Sequence, residues 1–125
     1  MDDEEMSKAI DLAFGMHLSI CGNHFMAETI SNNSVQQLKY ESLVYAHGVI
    51  LARACADLAY GLAERGDSLA SFFNDVSGVY STIIGHHAHA EDEPTPEAER
   101  IMSRAIVYGQ SVLLADIFYA LYRPG

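Results

Sequence analysis

The chain has little positive charge, few cysteines and no tryptophan: its 125 residues include seven lysines and arginines and two cysteines. Contact with nucleic-acid phosphates or with an anionic membrane needs a basic surface, so direct binding to either is disfavoured. Cys21 and Cys55 are isolated, and the sequence has no Cys-x-x-Cys pair and no haem-attachment motif. Both cysteines are predicted to be small core residues of a reduced protein.

Sequence motifs of catalysis are also missing. There is no Gly-x-Ser-x-Gly, no phosphate-binding Walker loop and no Gly-x-Gly-x-x-Gly, and no spacing of serines and histidines typical of a catalytic triad. The chain is therefore predicted not to be an enzyme. Its longest stretch without charge, Leu12 to Ala27, is too short to span a bilayer, and its acidic start is unlike a secretory signal. We expect a cytoplasmic protein without membrane contact.

Acidic and apolar residues dominate the composition. Seventeen aspartates and glutamates give a formal net charge of −10, yet half of the residues are hydrophobic and the mean hydropathy is +0.06. The acidic residues are concentrated at residues 2–5 and 91–99. Such a surface permits a basic protein partner, although acidic runs also serve solubility alone. The high apolar content favours shared interfaces over an isolated monomer.

Apolar residues recur at helical spacing, and capping signals divide them into four predicted helices. Ser34 is typical of an N-cap, Gly66 can adopt the left-handed conformation that ends a helix, and Thr95-Pro96 is typical of a helix start. The predicted helices cover residues 4–30, 34–65, 68–86 and 95–122, with a loop from His86 to Pro94. Short connections make consecutive helices antiparallel. The sequence therefore predicts one all-α domain, residues 1–125, with the architecture of an antiparallel four-helix bundle.

The long second helix has two apolar faces, whereas a helix on the surface of a bundle needs one. The first face ends in alanines that would allow another backbone to approach closely, and it comprises Val35, Leu38, Ser42, Tyr45, Val49, Ala52, Ala56, Ala59 and Ala63. The second face has larger side chains and comprises Val44, Leu51, Cys55, Leu58 and Leu62. Two faces need cover on two sides. A homodimer is expected, and the alternative is that one chain covers both faces.

The same spacing predicts the buried faces of the other helices. The first helix is expected to bury Ile10, Phe14, Leu18, Cys21 and Phe25. The third is expected to bury Leu69, Phe72, Phe73, Val76, Tyr80, Ile83 and Ile84. The last has one face with Ile101, Ala105, Tyr108, Val112, Ala115 and Tyr119, and a second with Met102, Ile106, Leu113 and Ile117.

Two groups of histidines are candidate metal ligands. His86, His87 and His89 precede three carboxylates at residues 91–93, a combination that suits Zn²⁺ or Ni²⁺. We favour the interpretation that this segment is a solvated loop, because structural metal sites show clearer ligand spacing.

The second group lies on the first helix, where His17 and His24 share one side with Cys21 and Glu28 and where His47 of the second helix could face them. The Glu-x-x-His pairs of di-iron bundles are missing from the sequence. We favour hydrogen-bonded histidines at the edge of the apolar stripe. No metal and no cofactor is predicted for the chain.

Three functions fit these features. The first is a non-catalytic regulator that sequesters or inhibits a larger, basic partner such as a transcription factor or another nucleic-acid-binding protein. The alternatives are a metal- or cofactor-binding helical bundle and a structural subunit of a larger complex. Tyrosine suits interfaces, since it has an apolar body and a polar tip. The predicted interface residues come from the central and last helices: Tyr45, Val49, Ala52, Ala56, Ala59, Tyr108 and Tyr119.

Overall fold

A computed structural model describes residues 2–30 and 34–122, with side chains up to residue 120. All regular structure in these ranges is helical, which confirms the all-α prediction. The first two helices have nearly the predicted bounds, whereas five helices replace the four predicted. They are α1 (Asp3–Thr29), α2 (Ser34–Glu64), α3 (Ala70–Asp75), α4 (Ser77–Glu91) and α5 (Glu97–Tyr122).

The helix α2 is the centre of the fold, because it packs against each of the other four helices. The helices α1 and α2 are antiparallel: Arg65, just beyond the end of α2, forms an ion pair with Asp3, while Gln37 near its start donates to the Ala27 carbonyl. The helix α4 packs antiparallel to α2, and α5 packs parallel to α2. The four long helices therefore pack as a bundle, with α3 covering the second half of α2.

Local capping chemistry fixes two of the helix ends. The Asp2 carboxylate accepts a hydrogen bond from the Glu5 backbone at 2.8 Å, which satisfies a free N–H at the start of α1. At the end of α2, Gly66 has φ +67°, and its N–H bonds to the Ala63 carbonyl while the Asp67 N–H bonds to that of Leu62. This pair of bonds is a Schellman motif, and it confirms the helix end predicted at Gly66.

The prediction of one continuous third helix over residues 68–86 is the first error. The helix is interrupted at Val76, which separates α3 from α4 with φ −94° and ψ 8°. The interruption falls in a run of poor helix formers, residues 74–78, with sequence Asn-Asp-Val-Ser-Gly. The break lets Phe73 and Val76 both reach the core, where each is buried.

The predicted loop from His86 to Pro94 is the second error, because α4 continues to Glu91. Packing holds these residues in the helix. Ala90 is buried, and its carbonyl accepts a hydrogen bond from Arg100 Nε at 3.0 Å. The histidines thus lie on a helix packed against α2 and α5. The connection to α5 is shorter than predicted, and α5 begins at Glu97.

The larger apolar face of α2 forms the middle of the core, as predicted, and the following residues are fully buried: Val44, Leu51, Cys55, Leu58 and Leu62. The prediction for α1 is partly wrong: Leu18 and Phe25 are exposed, and the buried residues are Met6, Ala13, His17, Ile20 and Ala27. Two of these buried residues are alanines, and α1 packs against both α2 and α5. On α5 most of the buried side lies between the two predicted faces, at Ser103, Val107, Ser111, Leu114 and Phe118, and it also includes Ala115 of the first predicted face.

The helices α2 and α5 approach each other closely at Gly48 and Ser111. Both are buried, and a Cβ added at Gly48 would overlap the Oγ and Cβ of Ser111. Ser111 Oγ donates to the Val107 carbonyl at 2.6 Å, so its hydroxyl is satisfied within α5. Only a glycine fits opposite this serine at the observed helix separation.

Two helices, α2 and α5, are long and apolar enough to cross a bilayer by length and composition alone. The core helices of soluble proteins pass the same test, and both helices contribute to the core of this bundle.

Candidate protein-binding groove

An open groove lies between the first half of α2 and the first half of α5. Its volume is about 550 Å³, which is within the range of ligand-binding clefts. The lining is mainly apolar and aromatic and comprises Leu38, Glu41, Ser42, Tyr45, Arg104, Ala105 and Tyr108. Leu38 leaves 63% of its surface exposed, and Ile101 and Val35 extend the apolar surface nearby. The groove begins one helical turn before the Gly48–Ser111 contact, where the two helices pack closely.

Two tyrosines line this groove, and each pairs with a histidine of another helix. Tyr45 of α2 bonds through its hydroxyl to His87 Nδ1 of α4 at 2.9 Å. Tyr108 of α5 bonds in the same way to His24 Nδ1 of α1 at 2.8 Å. In both pairs the rings meet edge to face, with centroids 5.6 and 5.7 Å apart. Tyr45 is therefore held by α4 and Tyr108 by α1. These contacts keep the groove in shape without a bound partner.

The charges around the groove are mainly negative. Burial raises the pKa of Tyr45, Glu91 raises it further, and Arg104 acts in the opposite direction. Burial also raises the pKa of Tyr108, assisted by Glu41 and Glu28. Both phenols thus stay protonated at neutral pH and remain hydrogen-bonding groups. Three carboxylates and one guanidinium act on the two tyrosines, and the lining of the groove itself contains Glu41 and Arg104.

The structure brings two of the predicted interface residues, Tyr45 and Tyr108, together in this groove. The others lie elsewhere. Val49 and Ala52 are buried, and Ala56 and Ala59 are half-buried against the core of the same chain. The alanine half of the first α2 face is thus largely engaged within the chain.

Tyr119 lies near the other end of α5 with about half of its surface exposed. Sequence reasoning missed Glu41 and Arg104 as groove residues, and it placed Leu38, Ser42 and Ala105 on apolar faces without identifying a site. The available signal was that Leu38 and Ser42 share a face with Tyr45. What the periodicity could not indicate is that this face meets α5 across an open space.

The fold brings two of the candidate metal-ligating histidines, His86 and His89, to one shallow surface pocket and places the others elsewhere. His86 faces Ser103 Oγ at 3.3 Å, His89 lies 3.6 Å from a Glu99 carboxylate oxygen, and His87 is held by Tyr45. On α1, His24 pairs with Tyr108. Among the described residues, no three His, Cys, Asp or Glu side chains are grouped so that they could hold a metal ion.

The remaining two histidines lie deeper in the bundle. His47 Nδ1 is 2.7 Å from Ser19 Oγ, a contact between α2 and α1. His17 is 3% exposed and packs between Phe14 and Phe118. The Ala13 and Phe14 carbonyls lie near its ring, but within the described part of the chain its Nδ1 atom forms no hydrogen bond of good geometry. Burial lowers the pKa of His17, against a smaller opposite effect of the Ala13 and Phe14 carbonyls.

Comparison with protein-family models, curated proteins and solved structures finds no match for the chain. The functional interpretation therefore rests on the groove, the surface charges and the exposed apolar residues.

Proposed function

We propose that the protein is a non-catalytic binding domain that holds an amphipathic helix of a larger, basic protein partner in the groove between α2 and α5. Binding of that helix in the groove would keep the partner inactive, in the manner of a cytoplasmic regulator that sequesters a nucleic-acid-binding protein. The observation that carries the proposal is the open groove with two tyrosines fixed by histidines. Helix-in-groove binding uses apolar anchors spaced along one helix face.

The lining supports an apolar anchor at the centre of the contact. Leu38 and Ala105 expose apolar surface on opposite walls, and Ala105 leaves room for a side chain from outside. Tyrosines beside such a pocket are typical of residues that dominate binding energy. An exposed apolar surface of this kind marks an interaction site in a soluble protein.

The charges support a basic partner over an acidic one. Glu28, Glu41 and Glu91 act on the two tyrosines, and Arg104 acts in the opposite direction on Tyr45. The net charge of −10 adds a long-range attraction for a basic surface. A partner helix with leucine or phenylalanine anchors and flanking lysines or arginines would match both features.

The test uses two synthetic helical peptides with the same leucine face, one flanked by lysines and the other by glutamates. We expect the purified protein to bind the lysine peptide at least about tenfold more tightly at low salt, with the preference decreasing as salt screens it. Fluorescence anisotropy of labelled peptide measures both affinities. Equal affinity for the two peptides would remove the charge argument, and absence of binding to either would contradict the proposal.

Two arginine substitutions locate the contact. Ala105→Arg introduces bulk and positive charge into the groove at an exposed position, and it should reduce affinity for the lysine peptide by about tenfold or more. Ala63→Arg makes the same change at an exposed alanine near the far end of α2 and should have little effect. If both variants bind equally well, the peptide binds outside the groove, and a structural role in a larger complex becomes the better interpretation.

A further inference from the structure

A second cavity lies beside the second half of α2, away from the groove. Its volume is about 190 Å³. Side chains of α1, α2, α3 and α5 line it, and Leu69, just before α3, completes the lining. The cavity and the groove have no lining residue in common, so the two sites are separate.

The cavity arises because the short helix α3 does not reach α1. Among the described helices, α3 packs against α2 and α4, and its backbone approaches neither α1 nor α5 closely. The resulting gap is bridged by side chains alone, from Leu69 and Phe73 on one side and from Ile10 and Phe14 on the other. These side chains narrow the gap without filling it.

The inner wall of the cavity is part of the core, whereas its outer wall reaches solvent. Ala13 and Leu58 are almost completely buried. Ile10 and Phe14 are half-buried, and Leu69 leaves 40% of its surface exposed. The partly exposed wall provides a route by which a small molecule can enter without unfolding of the bundle.

The lining determines the polarity and size of the occupant. Every described side chain that lines the cavity is an aliphatic or aromatic hydrocarbon group. These side chains offer no charge and no hydrogen bond, and a polar group without a partner is costly to bury. The occupant must therefore be uncharged and apolar. An apolar cavity of about 150 Å³ in another protein binds benzene, so a space of about 190 Å³ accommodates benzene or toluene.

Aromatic side chains favour a ring as the occupant. Phe14, Phe73 and Phe118 all line the cavity. The rings of Phe73 and Phe118 form a cluster with Phe72, in which the centroids are 5.1, 5.6 and 6.1 Å apart. Phe72 meets each of the other two rings edge to face, an arrangement that aromatic pairs prefer. A ligand ring in the cavity would extend this cluster.

We propose that the cavity between α1, α2, α3 and α5 is a second binding site, which takes one small uncharged aromatic molecule of the size of benzene or toluene. The inference does not depend on the groove between α2 and α5, because a chain that binds no peptide can still bind the aromatic molecule.

The main test titrates toluene into the full chain by isothermal titration calorimetry. We expect one molecule to bind per chain, with a dissociation constant of about 1 mM or lower. Benzoate, in which a carboxylate takes the place of the methyl group, should bind at least about tenfold more weakly, because its charge would be buried without a partner. Bound toluene should also raise the melting temperature, since a ligand stabilises the folded state that binds it.

Filling substitutions locate the site. Ala13→Leu adds an isopropyl group at the inner wall, and Ile10→Phe adds bulk at the half-buried outer wall. Each should weaken toluene binding by about tenfold or more, because the added atoms take the place of the ligand. Ala63→Leu repeats the first change at an exposed alanine outside the lining and should leave the affinity unchanged. Far-ultraviolet circular dichroism checks that each variant is folded.

A further variant tests the preference for a ring. Phe73→Leu replaces an aromatic wall by a smaller aliphatic one, so toluene loses a ring contact and should bind about threefold more weakly. Xenon has no ring contact to lose. Its affinity, measured by xenon NMR, should be unchanged or higher in the larger space.

Four outcomes would overturn the inference. The first is an unmodified chain that does not bind toluene, which would show that side chains close the cavity in solution. The second is toluene binding that Ala105→Arg abolishes and that Ala13→Leu and Ile10→Phe leave intact, which would place the ligand in the groove. The third is equal affinity for toluene and benzoate. The fourth is a Phe73→Leu variant that binds toluene as tightly as the unmodified chain, which would remove the aromatic class of ligand.

Discussion

The first turns of α2 and its second half are both rich in apolar side chains but differ in how well these side chains are covered. In the second half, Leu51, Leu58 and Leu62 are buried beneath neighbouring helices. In the first half, Val35 and Leu38 are among the most exposed apolar residues of the described chain. Burial on this helix is therefore decided by which neighbours reach each turn, and only secondarily by residue type.

Helix lengths explain the difference. The 31 residues of α2 span about 46 Å, whereas the 15 residues of α4 span about 22 Å. The last turns of α4 reach α2 at Tyr45, through His87, and α3 covers the opposite half. Leu38 lies nearly two turns before Tyr45, beyond the end of α4. The uncovered turns form one wall of the groove, so most of the buried residues of α2 lie beyond the turns proposed to bind.

The largest expected effect comes from making one substitution in each half. Leu58→Ala should lower the free energy of unfolding by about 3 kcal/mol, because it leaves a cavity beside residues that already surround a small apolar space of about 190 Å³. Leu38→Ala, on the same helix, should change it by less than about 0.5 kcal/mol. Urea unfolding followed by circular dichroism measures both. Similar losses in the two variants would mean that the first half of α2 is covered in solution.

The boundary between the halves gives the second prediction. Gly48→Ala should destabilise the fold by about 2 kcal/mol, since the overlap with Ser111 outweighs the better helix propensity of alanine. Adding Ser111→Gly should recover more than half of that loss, although Ser111→Gly alone is destabilising. The double-mutant cycle is read from chemical unfolding curves. Additive effects in the cycle would show that the two helices are farther apart than this contact requires.

The sequence predicted those parts of the fold in which apolar residues are confined to a face. The large face of α2, from Val44 to Leu62, is buried as its spacing predicts, and the Gly66 helix end is confirmed. On α5 apolar residues surround the helix, so periodicity could not select the buried side. Most of it fell between the two predicted faces, at positions that include Ser103 and Ser111.

Other features depend on contacts that no local pattern contains. The histidine segment was predicted as a loop because its residues are polar, and its helix is instead held by Tyr45, Ser103 and Arg100 from neighbouring helices. On the candidate site, tyrosine chemistry predicted Tyr45 and Tyr108 but could not predict that they lie across one groove. That arrangement follows from the packing of α5 along α2, which no local pattern contains.

The smallest expected effect concerns His17, which is buried against Phe118 in the bundle core. Its burial lowers its pKa below the ordinary value of 6.5. The unfolded chain therefore takes up a proton here more readily than the folded one as the pH falls through about 6.5, and the folded state loses stability until the lower folded pKa is passed. Above that range the imidazole is neutral in both states, and only the buried Nδ1 atom, which forms no hydrogen bond of good geometry, remains unfavourable.

Two substitutions separate these contributions. His17→Leu removes both the titration and the unsatisfied nitrogen, so it should be more stable than the unmodified chain by about 1 kcal/mol at about pH 8, and by more at about pH 5. His17→Gln removes the titration but keeps a buried polar group, so it should gain at about pH 5 relative to the unmodified chain while showing no gain at about pH 8. Urea unfolding at each pH supplies the comparison, and titration of carboxylates elsewhere affects all three chains alike. If the free energy of unfolding depends on pH in the same way in the unmodified chain and in His17→Leu, the imidazole is in contact with water. The core beside α1 would then be accessible to solvent.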